Sequence, residues 1–257
     1  MKTPPPSSGY ALLAVFGLAL LNACHDPHPA DQPDPCRQLV TNPLVHQPFQ
    51  FLEDTGAPTD IALSGRTITF KAPGEPYTGW EWRIGTDPRA FTTRSVGLYL
   101  DSSVSGSIQV RLIARRPQQT ACFPNDDGLD TLTRALIVRP LRALPQAPIY
   151  GRYLGANLDA PTDTFTVEIV RAPRYPTPTE VWSYVRNLGA GCRSPYFDVH
   201  PGWNSVSFSY GGNDYGCLTE AGYGYLTAPD SVRFEYQQSR STADPTRRAR
   251  VFVGRRR

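Results

Sequence analysis

The chain of 257 residues is long enough for one large domain or two small ones, and its 26 basic and 23 acidic side chains leave a formal net charge of +3. Such a small charge argues against a protein that binds nucleic acid through a strongly basic surface. Prolines number 26 and no stretch sustains a 3.6-residue apolar period, so the sequence predicts strands and turns rather than helices.

The first 23 residues have the features of an export signal. Residues 11–21 form an uninterrupted apolar run that is too short to span a bilayer as a helix. An ordinary secretory cleavage site has small residues at positions −3 and −1, but Leu21 stands at −3 here. The tetrapeptide Leu21-Asn22-Ala23-Cys24 instead resembles the lipobox of bacterial lipoproteins. The resemblance implies that the signal peptide 1–23 is removed and that Cys24 is lipidated; the alternative is a secreted protein with a free Cys24.

Residues 24–36 are rich in proline and have almost nothing apolar to bury, so they are predicted to form an extended tether. The aspartates at 26, 31 and 34 resemble the acidic stretch that follows the lipidated cysteine in some surface-exposed lipoproteins. We expect an outer-membrane lipoprotein of the cell envelope that faces the periplasm or the cell surface. The membrane is then a partner through the lipid anchor.

The cysteine count supports export. Five cysteines leave one without a partner, and lipidation of Cys24 accounts for it. The other four can form disulfides in an oxidising compartment, with three possible pairings. We favour Cys36–Cys122 and Cys192–Cys217, since each pair then lies within one predicted domain. A zinc site is disfavoured because no Cys-x-x-Cys pair is present.

Residues 37–143 are predicted to form a first β domain. Apolar and polar side chains alternate in five runs, a period that places one face of each strand in a core. Turn-forming residues separate the runs, and short strands at this spacing are typical of a β-sandwich. The runs are 67–71, 80–84, 96–100, 108–114 and 136–138.

Within 79–114, the segments Trp80-x-Trp82-x-Ile84-Gly85-x-Asp87 and Gly106-x-Ile108-x-Val110-x-Leu112-Ile113 stand on two of these runs. They resemble the PKD module, a family of immunoglobulin-like sandwich domains. Arg83 and Thr86 replace the usual acids, and Ile108 stands where tyrosine is common. The resemblance implies a sandwich fold and transfers no functional residue, because the matched positions are core and turn positions.

Residues 144–257 are predicted to form a second, sandwich-like β domain after a proline-bounded linker at 144–148. The segment 163–167, with Cys217-Leu218 and 222–226, resembles the C-terminal part of two-domain surface lipoproteins and implies no activity. Residues 240–257 hold seven arginines against one acid, which we interpret as a solvated end; contact with anionic lipid or glycan is the alternative. Alternation predicts strands at 164–170, 196–199, 205–210, 232–236 and 249–253.

Aromatic side chains cluster in the second half, near the glycine-rich stretch 211–216. Trp203, Tyr215, Tyr223 and Tyr225 are the candidate ligand-binding residues, since aromatic faces beside polar loop residues bind sugars in many extracellular modules. The alternative is that these alternating aromatics pack in the sheet.

Catalytic and metal sites have little support. Asp198 and His200 share one strand face and could act as a base and the group that orients it, but no nucleophile elbow accompanies them. The acidic segment 125–130 fails the spacing of an EF-hand loop, so it is predicted to be a turn. We expect no catalytic residue, no cofactor and no metal.

These features predict a non-enzymatic cell-envelope lipoprotein that serves as a binding or scaffold module. A carbohydrate-binding accessory lipoprotein that uses the aromatics around 203–225 is the alternative, and a hydrolase centred on Asp198 and His200 is the third possibility. The expected partners are the membrane and a glycan or an envelope protein, and nucleic acid is not expected.

Overall fold

Strands dominate the structure, as the alternating pattern predicts. Two short 3₁₀ helices, Pro43–Val45 and Leu141–Gln146, are the only helices in the part of the chain that the structure describes. The all-β prediction is confirmed. The computed structural model describes Cys36, Leu39 and residues 41–176, 181–188, 197–209, 219–239 and 246–257, with the backbone alone at 172–176, 181–182, 197–200, 209 and 219–220.

The chain divides into two units, Met1–Val40 and Thr41–Arg257, and every strand belongs to the second. The first seven strands of that unit form two sheets. A three-stranded sheet has the order β1-β3-β5, and a four-stranded sheet has the order β2-β7-β6-β4. All neighbours are antiparallel except β2 and β7, which are parallel. The strands are β1 (Gln50–Leu52), β2 (Ile61–Leu63), β3 (Arg66–Lys71), β4 (Gly79–Ile84), β5 (Ser95–Leu100), β6 (Gly106–Arg115) and β7 (Leu129–Arg139).

One hydrophobic core joins these two sheets, which makes the first half a sandwich. Its centre is a group of four aromatic rings from Phe49, Phe51, Phe70 and Trp82, each at most 1% exposed. The Phe49 and Trp82 rings meet edge to face with centroids 5.2 Å apart, a favourable arrangement for aromatic pairs. The Trp82 indole N–H donates to the Thr93 carbonyl at 2.9 Å, so its one polar atom is satisfied. The positions that carry the PKD resemblance lie mainly on β4 and β6, which pair directly.

The remaining eight strands close into a barrel instead of forming two separate layers. The ring order is β10-β11-β12-β13-β14-β15-β8-β9, and β9 pairs with β10 to complete it. The strands are β8 (Gly151–Asn157), β9 (Ala160–Pro176), β10 (Val181–Arg186), β11 (Phe197–Pro201), β12 (Ser205–Ser209), β13 (Thr219–Ala228), β14 (Ser231–Ser239) and β15 (Arg247–Arg256).

Glycines on β13 let large side chains fill the barrel interior. A Cβ atom at Gly224 would overlap the ring of Phe234, and one at Gly222 would lie 2.8 Å from Cζ of Phe208. Phe234 is fully buried as a result. Because side chains alternate along a strand, Tyr223, which lies between these glycines, and Tyr225 face outward.

The proline-bounded segment 144–148, predicted to be a linker, contributes buried residues to the hydrophobic core of the barrel. Leu144 lies in the second 3₁₀ helix and is fully buried, and Ala147 is 4% exposed. Both belong to the barrel's hydrophobic core, which also contains Leu63 from β2. Prolines interrupt the periodicity of this segment, so its apolar residues gave no signal of burial in the sequence.

Candidate functional site

The outer surface of the barrel carries two neighbouring tyrosines on β13. The rings of Tyr223 and Tyr225 are stacked, with centroids 6.2 Å apart and planes 15° from parallel. Both side chains are partly exposed. On β14, Glu235 pairs with Tyr223 and Arg233 pairs with Tyr225. We call these four residues the tyrosine strip.

Hydrogen bonds hold the polar groups of the tyrosine strip in place. The Tyr223 hydroxyl donates to Oε2 of Glu235 at 2.7 Å, and Nε of Arg233 donates to Oε1 at 2.8 Å. The hydrogen bond to Glu235 raises the pKa of Tyr223 above its ordinary value. The hydrogen bonds from Tyr223 and Arg233 lower the pKa of Glu235, so its carboxylate stays ionised at neutral pH. The strip therefore presents aromatic and charged groups in a fixed arrangement.

A small cavity with both polar and apolar walls lies beside the tyrosine strip. Ser205 and Ser207 of β12 line the cavity, and they pair across the strands with Tyr225 and Tyr223. The cavity has a volume of about 40 Å³, which is enough for a few water molecules. Its other polar walls come from the first half of the chain and include Glu53, Asp54 and Arg66.

Glu53 joins the sandwich to the barrel at this cavity, and nothing in the sequence pointed to it. The side chain follows β1 and reaches the turn between β11 and β12. Its Oε1 accepts the backbone N–H of Trp203 at 2.5 Å, and its Oε2 accepts the hydroxyl of Ser205 at 2.6 Å. The N–H of Asn204 lies 3.2 Å from both oxygens. Burial raises the pKa of Glu53 to about 7, although these hydrogen bonds oppose the shift.

Trp203 is placed differently from the other predicted ligand-binding aromatics. Its side chain belongs to the barrel core and is 6% exposed, so the ring does not form part of the tyrosine strip. The guanidinium carbon of Arg139 lies 5.0 Å from the ring centroid, in a cation–π arrangement. Tyr215 lies outside the described residues. Of the four predicted aromatics, the structure brings Tyr223 and Tyr225 together on the surface.

Asp198 and His200, the residues of the hydrolase hypothesis, lie on β11, and at 197–200 the structure describes only the backbone. Asp198 pairs with Tyr184 of β10, and His200 pairs with Ser207 of β12. The side chains of Asp198 and His200 lie outside the described part of the structure, and the hydrolase stays a prediction.

An arginine organises the acidic segment 125–130. The guanidinium of Arg116 binds the carboxylate of Asp126 at 2.7 Å and that of Asp130 at 3.0 Å. The Asp127 carboxylate accepts the backbone N–H of Leu129 at 2.9 Å, a hydrogen bond typical of turns. Within the described ranges, no group of three or more His, Cys, Asp or Glu side chains is arranged to hold a metal ion.

The predicted disulfides are only partly covered by the structure. Cys36 and Cys122 are both disulfide-bonded, which fits the predicted Cys36–Cys122 pairing. Cys192, Cys217 and the predicted lipidation site Cys24 lie outside the described residues.

Over the ranges that the structure covers, no helix has the length and apolar character needed to cross a membrane. No protein-family model matches the chain, and no curated protein matches it in sequence.

Proposed function

We propose that the chain is a cell-envelope lipoprotein, anchored by a lipidated Cys24, whose folded part is a non-enzymatic binding module. The observation that carries the binding role is the tyrosine strip on the outer face of the barrel. Partly exposed aromatic side chains that neighbour fixed charges are a common feature of binding surfaces.

The geometry of the tyrosine strip favours binding because its side chains are already held in place by neighbouring strands and hydrogen bonds. Tyr223 and Tyr225 stand on a strand whose neighbours are paired on both sides. The Tyr223 hydroxyl and the Arg233 guanidinium are already held by Glu235. Groups that are fixed before a ligand arrives lose less conformational entropy on binding.

A glycan is the ligand class that the strip favours. A sugar ring presents an apolar face of C–H groups that can pack on an aromatic ring, and hydroxyls that bind charged side chains. Tyr225 offers the ring, and Arg233 and Glu235 offer a donor and an acceptor in adjacent positions. Ser207, which is partly exposed and pairs with Tyr223, adds a hydroxyl beside the tyrosines.

A glycan array followed by calorimetric titration of the strongest ligand tests this proposal. We expect Tyr225→Ala to weaken binding by about tenfold or more, since each factor of ten corresponds to about 1.4 kcal/mol. Tyr99→Ala is the matched control, because Tyr99 is a 62% exposed tyrosine on β5 of the sandwich. Binding that survives both Tyr223→Ala and Tyr225→Ala would refute the strip as the site.

A protein partner is the outcome to distinguish from a glycan. A photo-crosslinking amino acid at position 225, expressed in intact cells, should give a discrete protein adduct if an envelope protein occupies the strip. The same group at position 99 should give none. A protein adduct together with an empty glycan array would overturn the glycan version and support the scaffold version.

The lipid anchor has a separate test. Cys24→Ser should abolish labelling of the protein by radioactive palmitate and release it from the membrane fraction. Cys122→Ser removes a cysteine outside the lipobox and should leave the lipid label in place. Unchanged membrane partition of the Cys24→Ser variant would contradict the anchor.

A further inference from the structure

Glu53 is the main hydrogen-bond acceptor for the turn between β11 and β12. The backbone N–H groups of Trp203 and Asn204 both donate to its carboxyl group, and the Ser205 hydroxyl donates as well. The approach is close, because a Cβ atom at Gly202 would lie 2.6 Å from Oε2 of Glu53. Glu53 is separated from these residues by about 150 positions in the chain, so the contact joins the sandwich to the barrel.

The carboxyl group has no cation to neutralise it among the described residues. Its hydrogen-bond donors are all uncharged groups. Arg66 lines the same cavity, and Arg139 lies over the Trp203 ring, but neither has an ion pair with Glu53. Asp54, the next residue in the chain, adds a further negative charge nearby. An ionised Glu53 is therefore buried at a cost that a neutral Glu53 avoids.

The local chemistry accommodates a proton. When the carboxyl group is neutral, Oε1 still accepts the backbone N–H groups, and Oε2–H can donate to the Ser205 hydroxyl, which can act as donor or acceptor. The cavity of about 40 Å³ that Glu53 lines is large enough for a few waters, which can exchange a proton with the carboxyl group.

We propose that Glu53 is a proton-operated latch between the sandwich and the barrel, closed when its carboxyl group is neutral and released when the group ionises. A free carboxyl in the open state has its ordinary pKa of 4.5, whereas burial raises the pKa of Glu53 to about 7 in the closed state. The closed state binds the proton more tightly, so acid closes the latch. As the pH rises from 4.5 through 7, the population of the open state increases relative to that of the closed state.

Hydrogen exchange at single amides measures the latch. With these two pKa values, the ratio of the open to the closed state of the contact between Glu53 and the β11–β12 turn should be about tenfold higher at pH 8 than at pH 6. The protection factors of the Trp203 and Asn204 amides, corrected for intrinsic exchange, should fall by that factor. Their protection at pH 8 should also be lower than that of core amides such as Leu112 on β6.

Glu53→Gln is the decisive variant, because an amide keeps the acceptor oxygen and can donate to Ser205, but cannot ionise. Its protection factors should not change between pH 6 and pH 8. Asp54→Asn is the matched control, since it removes a neighbouring charge and should keep the pH dependence. The proposal would be overturned if the protection factors of the Trp203 and Asn204 amides did not change with pH in the wild-type protein, or if they fell equally in Glu53→Gln. Protection of these two amides equal to that of core amides at pH 8 would also overturn it.

A carboxyl titration by ¹³C NMR of the wild-type protein provides a second measurement that does not depend on a variant folding. The Glu53 resonance should titrate near pH 7. A midpoint near the ordinary value of 4.5 would also overturn the latch.

Discussion

Replacing Arg116 by methionine probes the buried ion network under the 125–130 turn. The guanidinium is 1% exposed and binds the carboxylates of Asp126 and Asp130, whose side chains are 7% and 2% exposed. Asp130 also accepts the Tyr77 hydroxyl at 2.7 Å. Methionine keeps the apolar stem but leaves two buried carboxylates without their cation. Loss of one partner from a buried ion pair costs about 3–5 kcal/mol of unfolding free energy.

Urea unfolding followed by circular dichroism measures this loss. With a slope of about 2 kcal/mol per molar urea, the unfolding midpoint should fall by roughly 2 M. The control is Arg83→Met, because the Arg83–Glu81 pair is 52% and 40% exposed and such surface pairs contribute about 1 kcal/mol or less. Adding Asp130→Asn to Arg116→Met should recover part of the unfolding free energy, because it removes one of the two buried carboxylates that lost their cation. Equal losses in the Arg116 and Arg83 variants would refute the reasoning.

Three further predictions concern the barrel and the disulfides. Gly224→Ala should lower the unfolding free energy by about 1–3 kcal/mol, because its Cβ atom would overlap the Phe234 ring. Gly97→Ala is the control and should change the unfolding free energy far less, because the nearest atom lies 3.9 Å from its Cβ. Equal effects of the two substitutions would contradict the packing argument. Tyr223→Phe should raise the pKa of Glu235 towards 4.5 in a carboxyl NMR titration, because it removes the Tyr223 hydrogen bond, the largest cause of the lowered pKa. An unchanged pKa would show that Arg233 alone sets it. Because the pKa of Glu235 is lowered on folding, its ionised carboxylate stabilises the folded state above pH 4.5, and this stabilisation is lost as the pH falls through the folded-state pKa. The wild-type protein should therefore lose more stability than Tyr223→Phe on acidification. Peptide mapping without reduction should recover Cys36–Cys122 and Cys192–Cys217, and a crossed pair would contradict the assignment.

Several strands were predictable because their signal is local. The alternation at 67–71 and 80–84 appears as β3 and β4, and that at 232–236 appears as part of β14. Strands such as β1 and β2 were missed because three residues are too few to show a period. Tyr223 and Tyr225 share one side of β13 because every second residue of a strand faces the same side, but the closure of the barrel decides that this side is the outer one.

The acidic segment 125–130 shows where local reasoning stops. Its composition indicates a turn, and the structure has one. The partner of Asp126 and Asp130 is Arg116, which lies 10 and 14 residues away from them on the far side of the turn. No spacing rule identifies that guanidinium as the buried cation, because the ion pair depends on where the segment after β6 folds back.

By itself, the sequence determined the all-β class and most of the strands. Only the tertiary structure decided that eight strands close a barrel, that Trp203 is buried, and that Glu53 meets Ser205. The reason is one of range: alternation specifies which side chains share a face, but the group that covers a face comes from elsewhere in the chain. Glu53 and Ser205 are 152 positions apart, and no pattern within either segment records their contact.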